Sequence, residues 1–218
     1  MSTPLPGRKA EAARNDTTIL NAAREVFLRD PHASMAVVAH AAGVGVGGLY
    51  RRYPSKDALL QKLCGDGLRE FVALADDAAE DPADPFDALA RFLRDVVTAD
   101  LHALTVRLGG TFVSTDELRH LAVQAAGLVE RIVGRASAAG RLRRGFVATD
   151  VPLLLEQVSA VRVDDARRTN ALRRRALDLA LLGLDVTTPA EQAVPGTPPT
   201  AAEMGERWRR SHPEQHAP

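Results

Sequence analysis

The sequence predicts an all-α protein, for three reasons. Apolar residues make up 45% of the chain and aromatic residues only 4%, so alanine, leucine and valine must build the core. Alanine and leucine favour helices. Apolar residues also recur at the spacing of a buried helical face, and no segment has a convincing strand pattern. We therefore expect about nine helices, in a small N-terminal three-helix domain and a larger helical C-terminal domain.

The chain begins with a segment that lacks a helical pattern. Residues 1–14 contain two prolines and a glycine and are expected to form a disordered arm. Helix one is expected over residues 15–29, where Asp16 can cap its start and Asp30-Pro31 ends it. One face of this helix is apolar and should be buried: Ile19, Ala22, Ala23, Val26 and Phe27.

Residues 34–52 have the packing pattern of a helix-turn-helix. Ser34 is a favoured N-cap for helix two, and Gly43 can adopt the left-handed conformation of a tight turn. Ala39 is small enough to let another helix cross closely, and Leu49 of helix three returns to that position. The segment therefore predicts two short helices joined by a glycine turn.

The same segment contains a misleading glycine pattern. Gly43, Gly45 and Gly48 match G-x-G-x-x-G, the fingerprint of a dinucleotide-binding site. Such a site needs a strand before the first glycine, whereas the residues before Gly43 are alanine-rich and helical in pattern. A dinucleotide site is therefore not expected.

The rest of the chain continues the helical pattern. Ser55 is a favoured N-cap for helix four, which is expected to end near Ala79, before the break DPADP. Five more helices should follow, including a short helix six around Leu104. The final segment, residues 187–218, is rich in proline and polar residues and is expected to be a disordered tail.

Charge is unevenly distributed, although the chain has 28 basic and 28 acidic residues. Residues 1–62 hold nine lysines and arginines against five aspartates and glutamates, a net charge of +4. A basic segment joined to an acidic remainder fits a nucleic-acid-binding module attached to a second domain. Ordinary scatter accounts for the same balance equally well.

The sequence offers no pattern of catalytic or metal-binding residues, so we expect neither an enzyme nor a cofactor. His102 and His120 lack the spacing of metal ligands, and no nucleophile elbow is present. The single cysteine, Cys64, fits a reducing cytoplasm. The sequence has no run of about 18 apolar residues, so no membrane span is expected.

Several residues around the glycine turn occur together in one known family. They are the alanine-glycine-valine turn at 42–44, the pair Leu49-Tyr50, the aromatic Tyr53, and Ser55-Lys56 at the start of helix four. With them, residues 15–62 resemble the DNA-binding domain of TetR-family transcriptional repressors. The segments YRRYPSKDALL and RLRRGFVATDVPLLLEQ are similar to actinobacterial members. The resemblance implies a helix-turn-helix domain at 15–62 and a ligand-binding and dimerisation domain at 63–186.

The resemblance also implies how DNA is bound, with helix three in the major groove. Val46 can contact a thymine methyl group, and Tyr50, Arg52 and Lys56 match phosphate-contacting positions. Arg51 is expected to be solvated. Many members have a larger residue where Gly48 stands, so this helix presents few side chains to the bases. The expected DNA-binding residues are Ser34, Val44, Gly45, Val46, Gly47, Gly48, Tyr50, Arg52 and Lys56.

The second domain should bind a small-molecule effector, in a pocket among helices four to eight. Periodicity selects apolar candidates and three polar ones: Phe71, Phe92, Val96, Phe112 and Leu128, with His102, Arg107 and His120. Plain core or surface positions are the alternative for each. A homodimer is expected through about residues 150–185, where apolar residues surround two helices: Leu153, Leu154, Leu155, Val158, Leu177, Leu179, Leu181 and Leu182. Within that region Arg173, Arg174 and Arg175 are expected to form a solvated face.

The sequence thus predicts a cytoplasmic, homodimeric, effector-responsive repressor of palindromic operator DNA. Two alternatives stay open: a constitutive DNA-binding protein without an effector, and a small-molecule-binding enzyme that carries a helix-turn-helix.

Overall fold

The structure, a computed structural model, describes residues 6–101, 108, 111–187, 195–200 and 203, with residues 6–14 described as backbone only. The described part is helical, which confirms the predicted class; one isolated antiparallel bridge joins Leu142 and Asp185. Of the predicted helix six, Leu101 and Leu108 are described and Leu104 lies outside the described residues. The helices are α1 Pro6–Arg29, α2 Met35–Ala41, α3 Val46–Arg52, α4 Lys56–Glu80, α5 Pro85–Thr98, α6 Asp116–Ala138, α7 Asp150–Ser159 and α8 Ala166–Leu184.

The first helix begins earlier than the sequence pattern suggests. α1 starts at Pro6, inside the segment expected to be a disordered arm, and continues to Arg29. Proline is tolerated in the first turn of a helix because its missing N–H would have no partner there. The alanines that follow are strong helix formers. The apolar periodicity that predicts helix one begins only at Ile19, so it does not mark where the helix starts.

The chain divides into two compact units. The first consists of Met1–Arg69 with Leu104–Leu121, and the second of Glu70–Ala103 with Ala122–Pro218. Both α4 and α6 contribute residues to each unit. The division therefore falls within α4, whereas the limit at 62/63 stays a prediction from sequence.

The first unit contains the predicted helix-turn-helix. α1 packs on α2, and α2 packs on α3. Phe27, Ala39 and Leu49 are fully buried, one from each helix. Gly43 has a φ of +66°, and the next residue, Val44, donates its N–H to the carbonyl of Ala39 at 3.0 Å. This turn fixes the direction in which α3 leaves α2.

The second unit is built around α5, which packs against α7 and α8. Its core includes Phe92 and Leu177, both buried. Arg173 of α8 is buried as well, in contrast to the solvated face predicted for it. Its guanidinium donates to the carboxylate of Asp100 at 2.8 Å and to the carbonyl of Ser159, the last residue of α7, at 2.8 Å.

Part of the tail is held against α8, although the sequence predicted disorder there. Arg168 donates to the carbonyls of Thr197 and Pro198 at 3.2 and 2.7 Å, and to the carboxylate of Glu203 at 2.7 Å. Arg175 donates to two further carbonyls of this segment, at residues 195 and 196. Because proline-rich chain has few hydrogen bonds of its own, arginine side chains supply the donors.

Candidate nucleic-acid interface

The short helix α3 has one buried side and one exposed side. Leu49 is fully buried, whereas Val46 is 42% and Tyr50 is 47% exposed. Gly47 and Arg51 are also exposed. Val46 with Tyr50, and Gly47 with Arg51, form two adjacent rows along the helix, because residues four apart lie on one face. The exposed side therefore offers a valine, a glycine, a phenol and a guanidinium.

The glycines of this helix are not required by the packing of the first unit. A Cβ atom built at Gly45, Gly47 or Gly48 meets no atom within 4 Å. None of the three has a left-handed backbone, in contrast to Gly43. Glycine inside a helix costs about 1 kcal/mol relative to alanine. The fold therefore gives no reason for glycine here, and a partner that approaches the backbone closely would give one.

The carboxylate of Asp16 ties α1 to the end of α3. It accepts a hydrogen bond from Arg52 Nε at 2.9 Å and another from the Tyr53 hydroxyl at 2.6 Å. The bond from Arg52 is the main cause that holds the pKa of Asp16 below its ordinary value. Burial, followed by the bond to Asp16, raises the pKa of Tyr53. Arg52, predicted to contact phosphate, is thus part of an ion pair within the domain.

Lys56, the second cation predicted to contact phosphate, is also engaged within the first unit. Its ammonium donates to the carbonyl of Pro31 at 2.9 Å and lies 5.2 Å from the centroid of the Phe27 ring. Ser55 accepts a hydrogen bond from the N–H of Ala58 at 3.0 Å, as an N-cap does. Lys56 and Ser55 therefore both help to fix the start of α4.

The remaining predicted DNA-binding residues lie at or near the surface. Ser34 is exposed before α2, although its side chain makes no capping hydrogen bond. Val44 is half-buried and precedes the exposed Gly45, and Gly48 is half-buried. Arg51, which sequence reasoning assigned to solvent, is exposed and has no partner among the described residues. In this respect Arg51 differs from Arg52, which is paired with Asp16.

The predicted effector residues that the structure describes are divided between the two units. Phe71 and Phe92 are in edge-to-face contact, with ring centroids 5.2 Å apart, and Val96 and Leu128 are buried in the same unit. Phe112, half-buried, and His120, exposed, belong to the first unit. His102 and Arg107 lie outside the described residues. The assignment of these residues to an effector site stays a prediction from sequence.

An open groove of about 400 Å³ lies in the second unit, and none of the predicted effector residues lines it. Its walls come from α7, α8 and the segment before α7: Phe146, Asp150, Leu153, Leu154, Gln157, Ala180, Gly183 and Leu184. Leu153 and Leu179 are 53% and 50% exposed, whereas Leu177 and Leu181 are buried in the protomer. The leucines expected at the dimer interface thus divide between the core and the surface.

Two other features are absent from the part of the chain that the structure describes. No three histidine, cysteine, aspartate or glutamate side chains are grouped so that they could hold a metal ion. No described helix is long and apolar enough to cross a membrane.

Comparison with known proteins gives a consistent result. Residues 19–63 match the family model for bacterial regulatory proteins of the tetR family. A TetR transcriptional regulator from Streptomyces coelicolor is 26% identical, with 79% of this chain and 99% of that chain covered and a TM-score of 0.51. A TetR transcription regulatory protein from Mycobacterium vanbaalenii is 25% identical, with 82% and 99% covered and a TM-score of 0.52. A TetR-family regulator from Thermus thermophilus is 25% identical, with 75% and 96% covered and a TM-score of 0.57. A search of the curated proteins found no match.

Proposed function

Since the chain is a TetR-family transcriptional regulator, we propose that it represses transcription by binding a palindromic operator as a homodimer, and that a small-molecule effector releases it. The observation that supports this most is the exposed side of α3, which is oriented by the buried Leu49 and by the bonds to Asp16. A regulator of this kind acts on chromosomal DNA, and we therefore expect it in the cytoplasm.

We assign base recognition to the N-terminal half of α3. Val46 contacts a thymine methyl group, and the glycines at 45, 47 and 48 let the DNA approach the helix backbone. Tyr50 donates its hydroxyl to a phosphate, and Ser34 and Val44 approach the neighbouring strand. With so few base-contacting side chains, DNA shape contributes strongly to sequence preference.

We assign dimerisation to the outward surface of α7 and α8. The groove between these helices has leucine walls, and the exposed Leu153 and Leu179 provide apolar area for a second copy. A palindromic operator requires two DNA-binding domains related by a two-fold axis and about one helical turn of DNA apart. Dimerisation through the second unit would supply that symmetry.

We assign effector binding to the second unit, around the contact between Phe71 and Phe92. Phe71 lies on α4, which also contributes Lys56 to the first unit. The two residues are 15 positions apart, or roughly 22 Å along a helix. An apolar molecule that moves Phe71 would therefore shift the start of α4 and weaken DNA binding.

The test begins with selection of duplexes from a random-sequence library by the purified protein. A palindromic consensus, bound with an affinity that falls as salt rises, is expected. Compounds that raise the melting temperature are then added to operator titrations. A compound that weakens DNA binding tenfold must itself bind tenfold more weakly when DNA is present. Thermal-shift hits that leave operator affinity unchanged would support the constitutive alternative.

A further inference from the structure

We propose that the docked tail, residues 195–200 and 203, weakens dimerisation because it covers part of the surface that a second copy of the chain needs. The inference rests on the proposed dimerisation through α7 and α8, and it adds a regulatory role for the tail. In each protomer the docked tail and the second copy compete for one face of α8.

The docked tail lies directly on α8. Arg168 and Arg175 donate hydrogen bonds to four of its carbonyls, at residues 195 to 198. Gly196 has a φ of +77°, and a Cβ atom built there would lie 3.8 Å from the Cβ of Arg175. Arg168 also binds the Glu203 carboxylate at 2.7 Å. The tail is therefore held against α8 at two positions about two helical turns apart.

The residues that hold the docked tail share a face with a leucine assigned to the dimer surface. One face of α8 carries, at intervals of four, three and four residues, Arg168, Leu172, Arg175 and Leu179. Leu172, between the two arginines, is 5% exposed, whereas Leu179, four residues after the second arginine, is 50% exposed. The open part of this face therefore ends where the docked tail begins.

The open surface of α7 and α8 is small for a stable dimer while the tail is docked. α7 has ten residues, and α8 has nine from 176 to 184. About half of them face the protein core, because one side of each helix is buried. A standard interface uses about 20–30 residues on each partner. A second copy therefore needs the N-terminal half of α8 as well, where it meets the docked tail.

Competition of this kind affects a homodimer twice. When only a fraction of the molecules is in the state that can bind, the apparent affinity is lowered by that fraction. Both protomers must release the tail before they associate, so the fraction enters as its square. A tail that is docked in about nine protomers out of ten would weaken dimerisation about a hundredfold.

The test releases the tail by changes in the tail itself, so that the surface of α8 stays intact. Gly196→Ala places a side chain at a left-handed backbone position, which strains the docked conformation. Glu203→Gln removes the charge that Arg168 binds. The double variant of the full chain is compared with the wild type by hydrogen exchange and by sedimentation velocity over a range of concentrations. Exchange at the amides of residues 200 and 203 should become faster, and the dissociation constant of the dimer should fall by about tenfold or more.

Thr197→Ala is the matched control, since it trims an exposed side chain and keeps the carbonyl that Arg168 binds. This variant should change neither measurement. Faster exchange in the double variant with an unchanged or weaker dimer would overturn the inference, and a weaker dimer would mean that the tail is part of the interface. Unchanged exchange would overturn it too, because other contacts would then hold the tail.

Addition of Leu179→Arg to the double variant separates this inference from the proposed dimer surface. The substitution should abolish the gain in dimerisation, because it places a charge on the open part of the α8 face. A tail-released dimer that tolerates this substitution would place the interface elsewhere and overturn the proposed surface. A chain that stays monomeric in every variant, and in the wild type, would overturn the proposed homodimer itself.

Discussion

Asp16 joins α1 to α3, and its negative charge determines the strength of that link. The carboxylate accepts hydrogen bonds from Arg52 and Tyr53, and the pKa of Asp16 is lowered mainly by the first. A depressed pKa in the folded state means that the stabilisation is present above the ordinary aspartate value, about 4. The stabilisation is lost as the pH falls through the lower, folded-state value.

Asp16→Asn should therefore lower the free energy of unfolding at neutral pH but not in strong acid. We expect a loss of about 1–2 kcal/mol at pH 7, discounted because the Arg52 side chain is partly in solvent. Denaturant unfolding of both proteins at neutral and acidic pH measures it. Asp77→Asn, at an exposed site without a described partner, is the matched control. A loss that persists equally in acid would mean that the charge of Asp16 is unimportant.

The surface of α3 could be predicted from sequence, but the partners of its cations could not. The exposure of Val46 and Tyr50 follows from the resemblance, which places helix three in the major groove. Periodicity alone would group both residues with the buried Leu49, because positions 46, 49 and 50 have the i, i+3, i+4 spacing of one helical face. In contrast, Arg52 and Lys56 bond to residues 36 and 25 positions away in the sequence. Periodicity within one helix contains no information on such pairs. The burial of Arg173 could not be predicted for the same reason, because its carboxylate partner, Asp100, lies in a distant segment.

At the scale of the helix, the glycines of α3 lower its stability and leave its backbone uncovered by side chains. Gly47→Ala should stabilise the helix by about 0.5–1 kcal/mol, because no atom lies within 4 Å of the added methyl group. The same methyl group should weaken binding to the selected operator. Thermal melting and DNA titration of one preparation measure both effects, which have opposite signs.

Gly134→Ala on α6 is the control for this prediction. Gly134 is also exposed in a helix, and a Cβ there meets nothing within 4 Å. The variant should gain stability and bind DNA as the wild type does. If Gly47→Ala keeps full affinity, the backbone of α3 does not approach the DNA closely.

The exposed leucines on the outer surfaces of α7 and α8 lead to a prediction about dimerisation. Leu179→Arg should yield monomers with weak operator binding, because Leu179 is 50% exposed and its replacement leaves the protomer core intact. Leu181 is buried, so arginine there would disrupt folding and reveal nothing about dimerisation. Sedimentation velocity measures the oligomeric state. Val123→Arg, on an exposed residue of α6, should sediment as the wild type does. A dimeric Leu179→Arg protein of normal affinity would place the interface elsewhere.

At the scale of the whole molecule, the described tail residues are part of the second unit because two arginines hold them. The tail segment has a reciprocal cap, in which the N–H of Thr200 donates to the Glu203 carboxylate and the N–H of Glu203 donates to the Thr200 hydroxyl. The bond from Arg168 is the largest cause that lowers the pKa of Glu203 to about 2. The contact should therefore persist well below the ordinary glutamate pKa of about 4.3 and be lost as the pH falls towards 2.

Arg168→Ala should release this segment. We expect faster hydrogen exchange at the amides of Thr200 and Glu203, since the variant removes the donor to the Glu203 carboxylate and to two tail carbonyls. Arg167→Ala, which alters the exposed neighbouring residue, should leave exchange unchanged. Equal protection in wild type and Arg168→Ala would show that Arg175 alone holds the segment. The composition of the tail could not predict this docking, because the hydrogen-bond donors are arginines of α8.

The single cysteine has a consequence for how the first unit can be observed. Cys64 is buried in α4, and burial raises the pKa of its thiol to about 11. The thiolate is therefore rare at neutral pH, and because the sulfur is buried, an alkylating reagent reacts after the surrounding helices separate. The rate of alkylation therefore reports how often the first unit opens, and no added label is needed. A bound operator should lower the logarithm of that rate in proportion to the free energy by which it stabilises the closed state.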